Sequence, residues 1–120
     1  MKKWEKFERL VAAINRTSAS GGEVIWNARI KGRQFDVSIQ FRFDTYKHLI
    51  LLECRDRKRK CTLSEIEAFV TKASDAGADE IIVVSSSGFQ SGATTVAKKH
   101  NVRLYTLKEI NELPPDVVLR

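Results

Sequence analysis

Three acids in this 120-residue chain stand where the surrounding pattern asks for something else. Asp36 falls inside the alternating apolar and polar run 34–43, which reads as a strand, and Asp is disfavoured mid-strand. Glu53 directly follows the apolar run Leu49-Ile50-Leu51-Leu52. A carboxylate taken there loses its hydration unless a cation or hydrogen bonds replace it. Glu8 comes four residues after Trp4 and three before Val11, on or beside the apolar stripe of a helix. Glu53 and Arg55 are two apart and leave the same face of a strand, while Cys54 points away. Asp36 lies close to Glu53 if their strands are neighbours. Two carboxylates converging beside a basic group can bind magnesium against a phosphodiester, because the ion takes hard oxygen ligands and polarises phosphoryl oxygen. Each acid also has a plainer reading: Asp36 solvated or paired on a polar face, Glu53 salt-bridged at a strand end, Glu8 at the edge of a stripe.

The elements that must position these residues follow from periodicity. Residues 3–16 place Trp4, Phe7, Leu10, Val11 and Ile14 at helical spacing. Residues 23–31 read as a strand with Val24, Trp26, Ala28 and Ile30 on one face. A tight turn at Lys31-Gly32-Arg33 leads into 34–43, with Phe35, Val37, Ile39, Phe41 and Phe43 on one face and Asp36 on the other, so the two strands form a hairpin. Residues 47–55 make a central strand, apolar on both faces in its middle. Thr62-Leu63-Ser64-Glu65 has capping-box spacing. The helix it opens turns Leu63, Ile66, Val70 and Ala73 inward and ends at Gly77. Strand 80–85, a loop at 88–92, helix 93–100 and strand 102–106 follow. A second capping box, Thr106-Leu107-Lys108-Glu109, opens a last helix that Pro114-Pro115 stops. The expected fold class is α/β: one domain over residues 1–120, with a mixed five-stranded sheet and helices on both faces.

Twenty-one Lys and Arg against fifteen Asp and Glu leave a net charge of +6, which favours a polyanionic partner such as DNA. Arg57, Lys58, Arg59 and Lys60 follow directly after Arg55, and Lys31 and Arg33 flank the turn before Asp36, so these six are expected to contact DNA phosphates. Gln90, in the loop Gly88-Phe89-Gln90-Ser91-Gly92-Ala93 before a helix, is a further candidate phosphate contact. That loop lacks the Walker lysine and the GxGxxG spacing, so no nucleotide cofactor is expected. Cys54 and Cys61 form neither a CxxC pair nor a disulfide framework, the longest apolar run is five residues, and no targeting segment is visible. The expectation is a cytoplasmic protein with reduced thiols and no membrane contact.

Several stretches, taken in order, resemble the Mrr-type branch of the PD-(D/E)XK restriction endonuclease-like nucleases. They are Phe7-Glu8-Arg9-Leu10-Val11, then Gly32-Arg33-Gln34-Phe35-Asp36-Val37, then Glu53-Cys54-Arg55-Asp56, with Ile66-Glu67-Ala68-Phe69, Gly77-Ala78 and Ser87-Gly88-Phe89-Gln90-Ser91-Gly92-Ala93 behind them. The resemblance spans nearly the whole chain and implies an αβββαβ core. It implies a metal-dependent DNA endonuclease in which Asp36, Glu53 and the Cys54 carbonyl ligate Mg2+ or Mn2+. In that reading Glu8 assists metal or water, and a homodimer serves double-strand cutting. The motif's lysine is Arg55 here. Arginine cannot act as a base, although it can hold a phosphate bidentately. Lys58 or Lys72 then becomes a substitute ammonium. The alternative is a nuclease-fold module with weakened or lost catalysis that binds DNA or a protein partner.

Overall fold

The computed structural model describes residues 22–106 together with residue 109. The strands are β1 (Glu23–Ile30), β2 (Arg33–Phe43), β3 (Tyr46–Arg55), β4 (Glu80–Ser85) and β5 (Arg103–Thr106), and the helices are α1 (Leu63–Asp75) and α2 (Ser91–Lys99). They form one five-stranded sheet in the order β1-β2-β3-β4-β5. β1–β2 and β2–β3 are antiparallel, whereas β3–β4 and β4–β5 are parallel. The two parallel crossovers each carry a helix and step the same way across the sheet, which puts both helices on one side. Ile66, Phe69 and Ala73 of α1 and Ala93 and Ala97 of α2 duly share one core with Leu51, Ile81 and Val83. Val37, Ile39, Ile50, Leu52, Cys54, Ile82 and Val84 form a second core on the opposite face. The expected helices at 3–16 and beyond Glu109 fall outside the described residues.

The helix ends obey local chemistry. Thr62 and Glu65 cap α1 reciprocally, and Gly77 beyond its end has φ +85, a conformation that glycine adopts without strain. Thr106 Oγ1 accepts from the Glu109 amide at 3.2 Å while Glu109 Oε1 accepts from the Thr106 amide at 2.9 Å, so the second capping box also forms. Leu63, expected inward, is 39% exposed. It occupies the first position of α1, where the helix has not yet closed on the sheet, and Phe69 fills the core instead.

The two alternating strands do not alternate throughout. Phe35 belongs to the core beneath α1, but Val37 and Ile39 belong to the opposite core. Across the hairpin, Val24 and Trp26 pack on one core and Ile30 on the other. Both strands therefore change sides, correcting the expectation that each keeps one apolar face. The change occurs at one rung. The β1–β2 register runs Trp26–Val37, then Ala28–Phe35, and the β2–β3 pairing ends at Val37–Leu52, so neither includes Asp36. Asn27, opposite Asp36, has φ 58. Asn tolerates this left-handed conformation better than most residues, which explains its place there.

Candidate metal-binding and active site

The break in the ladder shapes the site. Where β2 stops pairing with β3, the Asp36 side chain substitutes for the missing backbone acceptor: its Oδ2 takes the Cys54 amide at 2.7 Å. This bond holds the Asp36 carboxylate against the end of β3, beside Glu53, which is 7% exposed. Burial, then hydrogen bonding and charge repulsion from Asp36, push the Glu53 carboxyl up to about 8, outweighing the opposing fields of Arg55 and Lys72. Two acids that cannot comfortably both ionise are thus placed together. The Cys54 thiol, as alternation requires, points into the opposite core.

Arg55 lies on the Glu53 side of β3 as expected, with Nη2 2.9 Å from Glu53 Oε2. Its Nε is 3.7 Å from Oε2 of Glu65, in the first turn of α1. Glu65 is a charge hub. Arg57 bonds its Oε2, Arg59 Nη1 bonds Oε1 at 3.0 Å, and Thr62 Oγ1 donates to Oε1 at 3.1 Å. Burial would raise the Glu65 carboxyl, but hydrogen bonds from Arg57 and Thr62 hold it down to about 2. The loop carrying these arginines is braced by the residues that follow β4. The Ser86 amide donates to the Arg55 carbonyl at 2.9 Å, Ser86 Oγ accepts from the Arg57 amide at 3.1 Å, and Ser87 Oγ donates to the Arg57 carbonyl.

Lys72 enters from α1. Its Nζ lies 4.5 Å from the centroid of the Phe35 ring and donates to the Gln34 carbonyl, two residues before Asp36. Glu65, Phe69 and Lys72 are spaced i, i+4, i+7, so one helix face carries a hub acid, a core aromatic and a site cation.

The donor set suits a hard divalent ion. Among the described residues no three His, Cys, Asp and Glu side chains gather, so Asp36 and Glu53 form a pair. Magnesium is commonly held in this way, by one or two carboxylates with water completing its shell. A cation would also displace the proton that burial favours on Glu53.

The restriction endonuclease family model Mrr_cat matches residues 1–113. The chain belongs to this family. Similar solved structures agree on the restriction endonuclease-like fold. AF1548, a protein of unknown function, has a TM-score of 0.64 at 15% identity, with 83% of this chain and 57% of that chain covered. EndoMS in apo form has a TM-score of 0.56 at 17% identity, covering 89% of this chain and 47% of that one. The DNA modification-dependent restriction endonuclease AspBHI gives 0.53 at 14% identity, covering 92% and 34%. The chain thus spans between about a third and three-fifths of the length of these proteins. No curated protein matches the sequence.

Within this restriction endonuclease fold, the sequence-derived residues separate into groups. Asp36, Glu53 and Arg55 come together, and Glu8 lies outside the described residues. Lys58 and Lys60 are exposed and, among the described residues, make no ion pair, whereas Arg57 and Arg59 are bound to Glu65. Arg57 is drawn inward, its Nε buried without a hydrogen-bond partner among the described residues. Lys31 and Arg33 do not join that surface. Arg33 pairs with Asp75 at 3.5 Å and Lys31 Nζ lies beside Gly77, at the C-terminal end of α1. Glu65 is ten residues earlier, about 15 Å along the helix. Gln90 is exposed at the N-cap of α2, and its backbone amide donates to the Cys61 carbonyl at 2.9 Å. Among the described residues no helix is long and apolar enough to cross a membrane. Sequence reasoning overlooked Glu65 as a site element because its capping role already explained it. The seven-residue spacing to Lys72 was the available signal.

Proposed function

We propose that the chain is the catalytic domain of a magnesium-dependent DNA endonuclease, with Mn2+ an effective substitute. The observation that carries this reading is the forced proximity of Asp36 and Glu53, with Glu53 driven up to about 8 where strand pairing lapses. Such a pair is a liability to the fold and an asset to a site that takes a cation. Asp36, Glu53 and the Cys54 carbonyl would hold the ion. When bound, it supplies Lewis-acid polarisation of the scissile phosphate and activates water for in-line attack. The protein's residues do the rest. The Cys54 amide fixes Asp36, Arg55 fixes Glu53, and the exposed Lys58 and Lys60, which make no ion pair among the described residues, offer charge to the nucleic acid backbone. Glu8 is proposed to support the water or a second ion, and two copies would serve the two strands of a duplex. The solved EndoMS–dsDNA2 complex, with a TM-score of 0.55 at 17% identity, lends support to DNA as the substrate.

The test is nicking of supercoiled plasmid in Mg2+ or Mn2+, beside Asp36→Ala and Glu53→Ala. Metal-dependent nicking that either substitution abolishes is expected, and nicking that survives both overturns the proposal. One observation favours a second reading, a module that binds DNA or a protein partner without cutting: Arg55 stands in for the motif's lysine and is held by two carboxylates. Salt-sensitive DNA binding without metal-dependent cutting would select it.

A further inference from the structure

Arg55 occupies the position where the family motif has its ammonium, yet it is poorly free to meet a substrate. Its Nη2 is 2.9 Å from Glu53 and its Nε 3.7 Å from Glu65, so turning onto a phosphate means leaving both acids. Glu65 is itself immobilised by Arg57, Arg59 and Thr62, and its carboxyl stays ionised to about pH 2, so its hold on Arg55 persists at every working pH. Lys72 is placed differently. Among the described residues it forms no ion pair, and its polar partner is the neutral Gln34 carbonyl. Its Nζ lies 4.5 Å from the centroid of the Phe35 ring, its charge acts on Glu53, and Gln34 and Phe35 stand two residues and one residue before Asp36. The pocket thus contains one cation engaged by two acids and one that, among the described residues, makes no ion pair.

We propose that Lys72, and not Arg55, is the catalytic cation: its ammonium contacts the non-bridging oxygen of the scissile phosphate, and Arg55 serves as a positioning residue for Glu53. This rests on the nuclease reading above. No proton leaves Lys72 in this role. It supplies a fixed positive charge where negative charge grows on the phosphoryl group. An ammonium on a flexible four-carbon stem can turn from the Gln34 carbonyl to a phosphate without breaking an ion pair.

The experiment compares the whole chain with Lys72→Met, which keeps an apolar side chain of similar length beside Phe35 and removes the charge, with Arg55→Lys, and with the double variant. Two readouts are taken: plasmid nicking in Mg2+, and the salt dependence of binding to a fluorescent 20-base-pair duplex in Ca2+. Lys72→Met is expected to lower nicking at saturating metal about 100-fold or more and to flatten the log-log salt slope by about one. Its thermal melt should stay near that of the parent. In the double variant, an ammonium restored on β3 should recover part of the nicking, which a purely structural role for Lys72 would not allow. Lys72→Met that nicks and binds like the parent overturns the proposal while the nuclease reading stands. A parent that does not nick sinks the nuclease reading, and the salt slope then decides whether Lys72 still meets phosphate. A parent that neither nicks nor binds overturns both.

Discussion

Replacing Glu53 with glutamine probes the physics of the site without any substrate. Burial and Asp36 raise the Glu53 carboxyl from an ordinary 4.5 to about 8. Between those values the folded chain keeps a proton that the unfolded chain has released. The native state therefore binds more protons, and stability falls as pH rises through that window. Each pH unit costs about 1.4 kcal/mol, so at pH 7 the charge-averse environment of Glu53 costs up to about 3 kcal/mol. Glutamine copies the shape and the donor of the protonated acid and has nothing to release. Glu53→Gln should therefore unfold at a higher temperature than the parent at pH 7 in the absence of metal, by about 10 °C for a chain of this size. The gain should shrink to nothing near pH 4.5 and stop growing near pH 8. Thermal melts across pH 4–9 in chelator give the answer. A Glu53→Gln protein less stable than the parent at pH 7.5, or a difference that does not change with pH, would refute the reasoning.

Three further outcomes follow from the same geometry. Metal should compete with the Glu53 proton, so Mg2+ or Mn2+ binding at pH 7 should release close to one proton, measured as a dependence of calorimetric heat on buffer ionisation enthalpy, and the apparent affinity should level off above about pH 8. Glu65→Ala removes the arginine hub and half of a capping box. Because the Glu65 side chain is 21% exposed, water screens the ion pairs, and a loss of about 1–2 kcal/mol in denaturant unfolding is expected. The Glu65 carboxyl is depressed to about 2, so its stabilisation is complete above about pH 4.5 and disappears as pH falls toward 2, and the variant and parent should converge there. Asn27→Val puts a β-branched residue at φ 58 and should destabilise the chain by about 1–2 kcal/mol by urea titration.

The strands, the parallel half of the sheet and both capping boxes were legible because each is a local rule: alternation, apolar runs and Thr-x-x-Glu spacing. Asp36 and Glu53 were legible because an acid breaks those rules visibly. The change of faces at Asn27 and Asp36 was not, since Phe35 and Val37 alternate with a polar residue between them in either arrangement, and only packing against Phe69 and Leu51 tells them apart. The fates of Arg57, Arg59 and Arg33 were likewise hidden. A run of cations looks solvated until the fold brings Glu65 or Asp75 beneath it. Lys72 needed a tertiary contact with Phe35 to mark it apart from other helix lysines.

Phe35 and Val37 face opposite cores, which is what adjacent residues of an ordinary pleated strand do. On β1 the corresponding change separates Trp26 from Ile30, which pack on opposite cores. Each strand therefore carries one surplus residue, and the two surplus residues face each other. Excising Asn27 and Asp36 together would leave a smoother hairpin whose apolar side chains keep their present burial, and it would lack the acid that meets Glu53. The irregularity is what the sheet could do without and the site could not.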